Sequence, residues 1–265
     1  MKIKILFLSL ALCLFSVVNG TAQKEKSTEV RVLTYNILHG ANTNGNFDLD
    51  IIADLIKKTN PDLVALQEVD FKTNRVNKRD ILSELAVKTG LTPVFIKAMD
   101  YDGGEYGEGL LSRTSFIKTE NVSLPHAPQN EPKAAGLATL VTTTGDTIQF
   151  IATHFDHLEE GKDRLKQARA IHKLTDKLEY PAVLAGDLND IPGSPTINLL
   201  EEKWQASYDK KSAVPTYPSN KPNIKIDYVM FYPKHHWELV ETKVIQDSIA
   251  SDHNAVLSVL KLLNP

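Results

Sequence analysis

The sequence predicts an α/β fold of four layers, an α/β/β/α sandwich in which two mixed sheets pack together and helices cover their outer faces. The main observation is that a strand–helix–strand pattern occurs twice along the chain. The second is that polar side chains stand at the strand ends in both of these patterns. Folds of this kind gather their function on loops at one end of the sheets, so the same polar residues also predict where the site lies.

The first half of the chain holds two predicted strands, each followed by a predicted helix. Residues 30–37 are apolar and β-branched, which is typical of a buried strand. Apolar residues then recur at helical spacing over residues 49–56, before Asn60-Pro61. A second strand follows over residues 62–68, and a second helix begins near residue 81 and ends at Gly90.

The second half repeats this order. A strand over residues 147–153 ends at His154, and an amphipathic helix covers residues 164–178. The next strand, residues 180–186, ends at Asp187, and Ser194-Pro195 is typical of an N-cap and first residue of a short helix. Three late strands are predicted at residues 225–231, 240–245 and 255–262. The two halves are too dissimilar to be a repeat.

The N-terminal segment is predicted to be a secretory signal peptide, residues 1–22. Two lysines precede an apolar run over residues 5–18, and small residues follow at Gly20 and Ala22. The run is shorter than the roughly 20 apolar residues of a membrane span. A signal anchor that stays attached is the alternative. We therefore expect a secreted or periplasmic protein with one domain, residues 23–265, no transmembrane span in its mature form, and a monomeric state.

Cys13 is the only cysteine of the chain. The mature protein would therefore have no disulfide, no thiolate zinc site and no cysteine nucleophile. The residues around Cys13 faintly resemble a lipoprotein signal, but Leu12 is bulky where a small residue is needed, so we do not expect lipid anchoring. Removing the charges of Lys2 and Lys4 changes the formal net charge from −3 to −5, which disfavours nucleic acid as a partner without excluding it.

Six short polar clusters stand at predicted strand ends: TYNILHG, LQEVD, THFDH, GDLND, IDYV and SDH. Each of them alone has an ordinary structural explanation. Asn36 can satisfy turn backbone, GDLND can be a simple turn, and His154 and His253 can be hydrogen-bonded structural histidines. Their joint occurrence after buried strands favours one shared site.

The residue types in these clusters suit phosphoryl chemistry. Glu68 with neighbouring carboxylate and amide oxygens forms a hard, oxygen-rich set that is appropriate for Mg²⁺ or Mn²⁺. Such an ion, together with two histidines, would neutralise charge on a phosphoryl group. The chain has no GxxxxGK[ST] loop and no GxSxG motif, which argues against a P-loop hydrolase and a serine hydrolase.

The ordered motifs TYNILHG, QEVD, YGEGLLSR, THFDH, GDLND, IDYV and SDH resemble the endonuclease/exonuclease/phosphatase superfamily, and the similarity is greatest to exported bacterial members. The resemblance spans residues 30–262 and implies a deoxyribonuclease I-like fold. It also implies hydrolysis of a phosphoric ester by in-line attack of water.

The resemblance further implies a role for each matched residue. Glu68 would be the main metal ligand, with Asn36 and Asp252 near the ion, directly or through water. Asp187 would orient or deprotonate the attacking water, and Asn189 would position it. His154 would donate to a phosphoryl oxygen, while Asp227 would hold His253 in its charged form against the phosphate. His253 should therefore lie within hydrogen-bonding distance of Asp227 and not of Asp252.

Several further residues are candidates for substrate contact, although each is also explained by a structural role or by simple exposure: His39, Arg75, Tyr106, His157 and Arg164. Arg164 can instead form an ion pair with a site carboxylate. Two positions depart from the family pattern. Glu108 stands where Asn or Ala is common and would add negative charge near the mouth of the site, and Ala255 stands where Pro is common.

We therefore expect an exported phosphoesterase that uses Mg²⁺ or Mn²⁺. The modest charge favours a small phosphorylated sugar, inositol or lipid head group as substrate. A secreted nuclease is the alternative within this class, but it would need a basic groove. A sphingomyelinase would need an exposed aromatic hairpin, and the two tryptophans are isolated in sequence. A non-catalytic binding module is the alternative from another class.

Overall fold

The computed structural model describes residues 28–263. The predicted signal peptide lies outside these residues. The described chain contains four α-helices: α1 (Leu49–Thr59), α2 (Ile81–Thr89), α3 (Lys162–Thr175) and α4 (Pro195–Glu201). Short 3₁₀ turns lie at Leu38–Gly40 and Lys234–His236. Among the described residues no helix is both long and apolar enough to cross a bilayer.

Twelve strands form two six-stranded sheets. The first sheet has the order β11-β12-β1-β2-β4-β3, and its strands are β1 (Thr28–Asn36), β2 (Leu63–Phe71), β3 (Thr92–Tyr101), β4 (Gly104–Ser112), β11 (Trp237–Ile245) and β12 (Ala255–Leu262). The second has the order β5-β6-β7-β8-β10-β9, and its strands are β5 (Phe116–Leu124), β6 (Lys133–Val141), β7 (Thr147–His154), β8 (Ala182–Asp187), β9 (Gln205–Ala206) and β10 (Asp227–Tyr232).

Three hydrophobic clusters hold the layers together. The central cluster joins the facing sides of the two sheets and includes Val32, Leu110 and Phe150. A second cluster packs α1 and α2 against the first sheet, and a third packs α3 and α4 against the second. Burial of these apolar faces stabilises the stack of four layers. The predicted α/β/β/α sandwich is confirmed.

Most helix ends follow from local chemistry. Asp48, Asp80 and Ser194 cap the first turns of α1, α2 and α4 through side-chain oxygens that accept backbone N–H groups. Gly90 ends α2 in the left-handed conformation with φ of 72°, as its position in the sequence predicts. The helix predicted over residues 164–178 begins earlier and ends at Thr175, because the following N–H groups bond to carbonyls three residues back.

Candidate active site

The site forms where the two sheets bring their polar strand ends together. Strands β1 and β2 are parallel neighbours, and so are β7 and β8, in which His154 pairs with Asp187. Asp227 begins β10 and pairs with Asp187 from the other side. The pairing of the strands therefore sets neighbouring ends in register, which explains how motifs far apart in sequence meet.

These strand ends surround a cavity of about 490 Å³. Its walls include six of the residues that the motifs predict: Glu68, His154, Asp187, Asn189, Asp252 and His253. Asn36 and Asp227 lie behind these groups and are almost completely buried. All eight predicted metal and catalytic residues therefore lie in or directly behind one cavity.

His253 is held by Asp227. Its Nδ1 lies 3.1 Å from Asp227 Oδ2 and 3.2 Å from Oδ1, and its ring packs 4.7 Å from the ring of Tyr217. Burial lowers the pKa of His253, but the charges of Asp227 and Asp187 outweigh burial and raise it to about 10. The imidazole is therefore positively charged at neutral pH. The predicted contact between His253 and Asp227 is confirmed.

Asp187 lies between the two histidines. Its Oδ2 is 3.6 Å from His154 Nε2 and 3.7 Å from His253 Nε2, and it accepts a hydrogen bond from the Asn36 amide at 3.3 Å. Burial and the negative charge of Asp227 raise the pKa of Asp187 to about 7. A carboxylate with this pKa can take up a proton near neutral pH.

Glu68 projects from an irregularity in β2. The register with β4 shifts between Leu66 and Val69, and Glu68 takes a left-handed backbone with φ of 60°. Such a bulge re-aims a side chain at the end of a strand. Burial raises the pKa of Glu68, but His39, 4.0 Å away, and the amide of Asn36, 3.1 Å away, outweigh burial and hold it at about 2. Glu68 is therefore ionised.

His154 and Asn189 contact each other at the wall of the cavity. Asn189 Nδ2 lies 2.9 Å from His154 Nε2 and donates to the carbonyl of Phe155 at 3.0 Å. Because an amide nitrogen only donates, His154 Nε2 accepts in this arrangement and its proton lies on Nδ1. Burial lowers the pKa of His154 well below its usual value, so the ring is neutral. Donation from Nε2 to a phosphoryl oxygen, the role predicted for His154, requires the other tautomer.

Two groups of side chains can hold a cation. Glu68 and Asp252 both line the cavity, and a quarter of the Glu68 side chain is exposed there. Their hard oxygens fit Mg²⁺ or Mn²⁺. Ligating atoms of Asp187, Asp227 and His253 also lie within 4.8 Å of one another. In that second group, however, the Nδ1 of His253 is engaged by Asp227. The residues present therefore fit a divalent ion best beside Glu68.

The candidates for substrate contact divide into two sets. His157 and Tyr106 line the cavity, and His39 lies beside Glu68. Arg75 and Arg164 do not line it. The guanidinium of Arg75 forms two hydrogen bonds of 2.7 Å with the buried carboxylate of Asp70, and that of Arg164 binds the carbonyls of Asp156 and Leu158. Both arginines hold loops in place in this structure.

The sequence did not indicate one whole wall of the cavity. Glu131, which precedes β6, and Lys133, its first residue, line it together with Tyr217, Ile224 and Ile226. The expectation for Glu108 was wrong. This carboxyl is fully buried instead of lying at the mouth, because it faces the same side of β4 as the core residue Leu110. Burial raises its pKa well above the usual range, so it adds no charge at the mouth.

Solved structures with the same fold have low sequence identity to this chain. An endonuclease/exonuclease/phosphatase from Beutenbergia cavernae is 23% identical, with a TM-score of 0.72 over 89% of this chain and 72% of that one. A protein of the same description from Bacteroides vulgatus is 21% identical, with a TM-score of 0.72 over 89% of this chain and 99% of that one. A mannosyl-6-phosphatase from Bacteroides thetaiotaomicron is 19% identical, with a TM-score of 0.71 over 87% and 99%.

The sequence itself carries the family assignment. A profile of the Endonuclease/Exonuclease/phosphatase family matches residues 33–253, a span that begins in β1 and ends at His253. The match therefore includes every strand end that contributes to the cavity. With two packed six-stranded sheets and this constellation at their polar edge, the chain belongs to the endonuclease/exonuclease/phosphatase family of phosphoric ester hydrolases.

Proposed function

We propose that this protein is an exported, divalent-metal-dependent phosphoesterase that hydrolyses a phosphomonoester or phosphodiester by in-line attack of water. One observation carries the proposal. The same carboxylate oxygen, Asp187 Oδ2, lies 3.6 Å from His154 and 3.7 Å from His253, at the wall of a cavity that Glu68 also lines. A water molecule, a base and phosphate-binding groups can therefore meet at one place.

Asp187 is the proposed base. A general base works best when its pKa lies near the working pH, and burial with the charge of Asp227 raises the pKa of Asp187 to about 7. Its Oδ1 accepts the backbone N–H of Asn189 at 2.9 Å, which fixes the orientation of the carboxylate. Asp187 would take the proton of water as the oxygen attacks phosphorus.

The charged imidazole of His253 is the proposed contact for the phosphate. Asp227 holds Nδ1, so Nε2 with its proton is left to face the cavity. His154 Nε2 lies 3.6 Å from the same oxygen of Asp187, and with its proton moved to Nε2 it would donate to a second phosphoryl oxygen. In that tautomer Nε2 no longer accepts from Asn189, whose amide would then bind the phosphate as well. The two histidines thus differ in charge: His253 would stabilise the charge of the phosphate, and His154 would bind it by a hydrogen bond.

Glu68 and Asp252 are the residues that would hold the divalent ion, with Asn36 orienting Glu68 through its amide. When bound, Mg²⁺ or Mn²⁺ supplies a positive charge that stabilises developing negative charge on the phosphoryl group. The depressed pKa of Glu68, about 2, keeps this carboxylate ionised and ready for a cation.

The size and charge of the cavity support a small substrate, such as a phosphorylated sugar, inositol or lipid head group. Its volume of about 490 Å³ is typical of small-molecule sites. Among the described residues, Lys133 is the only lysine or arginine that lines it. A nuclease would contact several successive phosphates with several basic side chains. The similar fold of a mannosyl-6-phosphatase agrees with a sugar phosphate.

The test of the activity is hydrolysis of bis-p-nitrophenyl phosphate with Mg²⁺ or Mn²⁺. We expect a chelator to abolish it, and Asp187→Ala and His253→Ala to abolish it separately. Turnover that survives both substitutions would refute the assignment. Phosphate release from sugar phosphates, sphingomyelin and plasmid DNA, measured side by side, then identifies the substrate class. Tight phosphate binding with no turnover under either metal would instead indicate a binding module.

A further inference from the structure

Lys133 brings an ammonium group to the wall of the cavity. It is the first residue of β6, the neighbour of the strand that ends at His154. Only 1% of its side chain is exposed, yet the residue lines the cavity beside Glu131. Keeping a lysine charge away from water is costly unless negative groups face it. The charge of Lys133 at this position therefore needs a negatively charged partner or ligand.

The described partners of Lys133 leave part of its hydrogen-bonding capacity unused. Nζ donates to Glu131 Oε1 at 2.8 Å and lies 5.9 Å from the centre of the Tyr106 ring. An ammonium carries three N–H donors, and in the described part of the chain one carboxylate oxygen accepts from it. The remaining donors are available to the oxygen of a ligand in the cavity.

The positive charge of His253 is already offset. His253 lies 3.1 Å from Asp227 and 3.7 Å from Asp187, so two carboxylates share its charge. A phosphomonoester carries about −1.5 to −2 charges at neutral pH. A diester has one ionisable oxygen fewer. In addition to the divalent ion proposed beside Glu68, Lys133 is the lysine in position to offset the second charge of a monoester.

Resting on the phosphoesterase activity proposed above, we propose that Lys133 is a specificity-determining residue that selects phosphomonoesters over phosphodiesters by donating to a non-bridging oxygen of the dianionic phosphate. Glu131 holds the ammonium in place before the substrate arrives. The assignment names the substrate class within the proposed activity: a small phosphomonoester.

The test compares two substrates that share one leaving group, p-nitrophenyl phosphate and bis-p-nitrophenyl phosphate. In Lys133→Gln we expect kcat/KM for the monoester to fall by about 10- to 100-fold, the effect of losing one charge-assisted hydrogen bond. The diester should lose less than about threefold. Lys162→Gln, which removes an exposed lysine paired with Glu160, is the matched control and should change neither value. Equal losses on both substrates would overturn the proposal.

A rival explanation is that Lys133 serves only to offset the buried carboxyl of Glu108. Neither oxygen of Glu108 has a hydrogen-bond partner among the described residues, and Lys133 acts on it electrostatically. The double variant Lys133→Gln/Glu108→Gln separates the two. We expect it to keep the lowered monoester-to-diester ratio of Lys133→Gln. A return to the ratio of the unmodified protein would assign Lys133 to Glu108 and overturn the proposal.

Binding gives a readout that does not depend on turnover. Isothermal titration with inorganic phosphate and with dimethyl phosphate, near pH 8, compares a dianion with a monoanion. Lys133→Gln should weaken the binding of inorganic phosphate by about 10- to 100-fold and the binding of dimethyl phosphate by much less. If the unmodified protein hydrolyses neither ester, the proposed activity fails, and this comparison still decides the role of Lys133. Equal weakening of both anions, or binding of neither by the unmodified protein, overturns it.

Discussion

His253 pairs with Asp227, a residue 26 positions away, and not with Asp252, which precedes it in the chain. The Nδ1 to Oδ2 distance is 3.1 Å. The side chain of Asp252 instead lines the cavity together with Glu68. The two adjacent residues of the SDH motif therefore belong to different halves of the site. One faces the proposed metal and the other the proposed phosphate.

Asp227→Asn should shift the alkaline limb of the pH profile. Burial lowers the pKa of His253, and the charge of Asp227 is the largest effect that raises it, to about 10. The charged form exists below that pKa, so activity that depends on it is present at lower pH and is lost as pH rises through about 10. In Asp227→Asn the limb should move down toward the usual histidine value of about 6.5.

The measurement is kcat/KM for bis-p-nitrophenyl phosphate across the neutral and alkaline range. Asp209→Asn, which changes an exposed carboxylate in the loop after β9, is the control and should leave the limb in place. A limb at the same pH in Asp227→Asn and the unmodified protein would show that His253 is not the group that titrates.

Asn189 combines a left-handed backbone with a side chain that is proposed to act in the reaction, and two substitutions can separate the effects of the two features. Its φ is 49°, and its amide contacts His154 and Phe155. Asn189→Gly keeps the left-handed backbone and removes the amide, whereas Asn189→Ala also adds about 1–2 kcal/mol of backbone strain.

Both variants should lose about 10- to 100-fold in kcat/KM, since each removes the amide that positions water and phosphate in the proposed reaction. The alanine variant should in addition unfold at lower urea concentration than the glycine variant. If Asn189→Gly retains full activity, the amide has no part in the reaction.

Gly186, the residue that precedes Asp187, allows β7 and β8 to lie close together. A Cβ at this position would lie 2.0 Å from the carbonyl oxygen of Thr153, in the paired backbone of β7. Gly186→Ala must therefore move one strand and with it Asp187. We expect a large loss of kcat/KM and a lower Tm. Gly136→Ala, which would meet the side chain of Ile96 in the core, should lower Tm while retaining kcat/KM well below the transition.

Much of the fold and of the reaction centre could be predicted from the sequence, because both depend on patterns that are local. Apolar runs of strand length that end in Glu68, His154 or Asp187 predict buried strands with polar ends. The strands β3 to β6 were not predicted. Charged residues interrupt β3 and β5, which lie at sheet edges, so their periodicity is weak.

The wall formed by Glu131 and Lys133 could not be predicted for a different reason. Nothing in the local sequence distinguishes Lys133 from the other lysines of the chain. Its role follows from the pairing of β6 with β7, which places it near His154. The expected position of Glu108 was wrong because the direction of its side chain depends on which face of β4 meets the second sheet. Both facts are properties of the packed sheets.

Arg75 is a structural residue in its contacts, and its substitution should affect stability more than activity. Its guanidinium forms a bidentate pair with Asp70, which is fully buried, and lies 4.7 Å from the centre of the Tyr101 ring. Arg75→Met leaves the charge of Asp70 buried without its partner, so we expect a loss of about 3 kcal/mol in the free energy of unfolding. The value is measured by urea denaturation.

Arg75→Met/Asp70→Asn removes both charges and should recover part of this loss, because replacing both members of a buried pair costs less than removing one. Both variants should hydrolyse bis-p-nitrophenyl phosphate with kcat/KM within about threefold of the unmodified protein under conditions where they are folded. A residue that only fixes the loop after β2 can affect the reaction only through folding. A fall in activity with unchanged stability would therefore indicate that Arg75 contacts the substrate, as the sequence suggests.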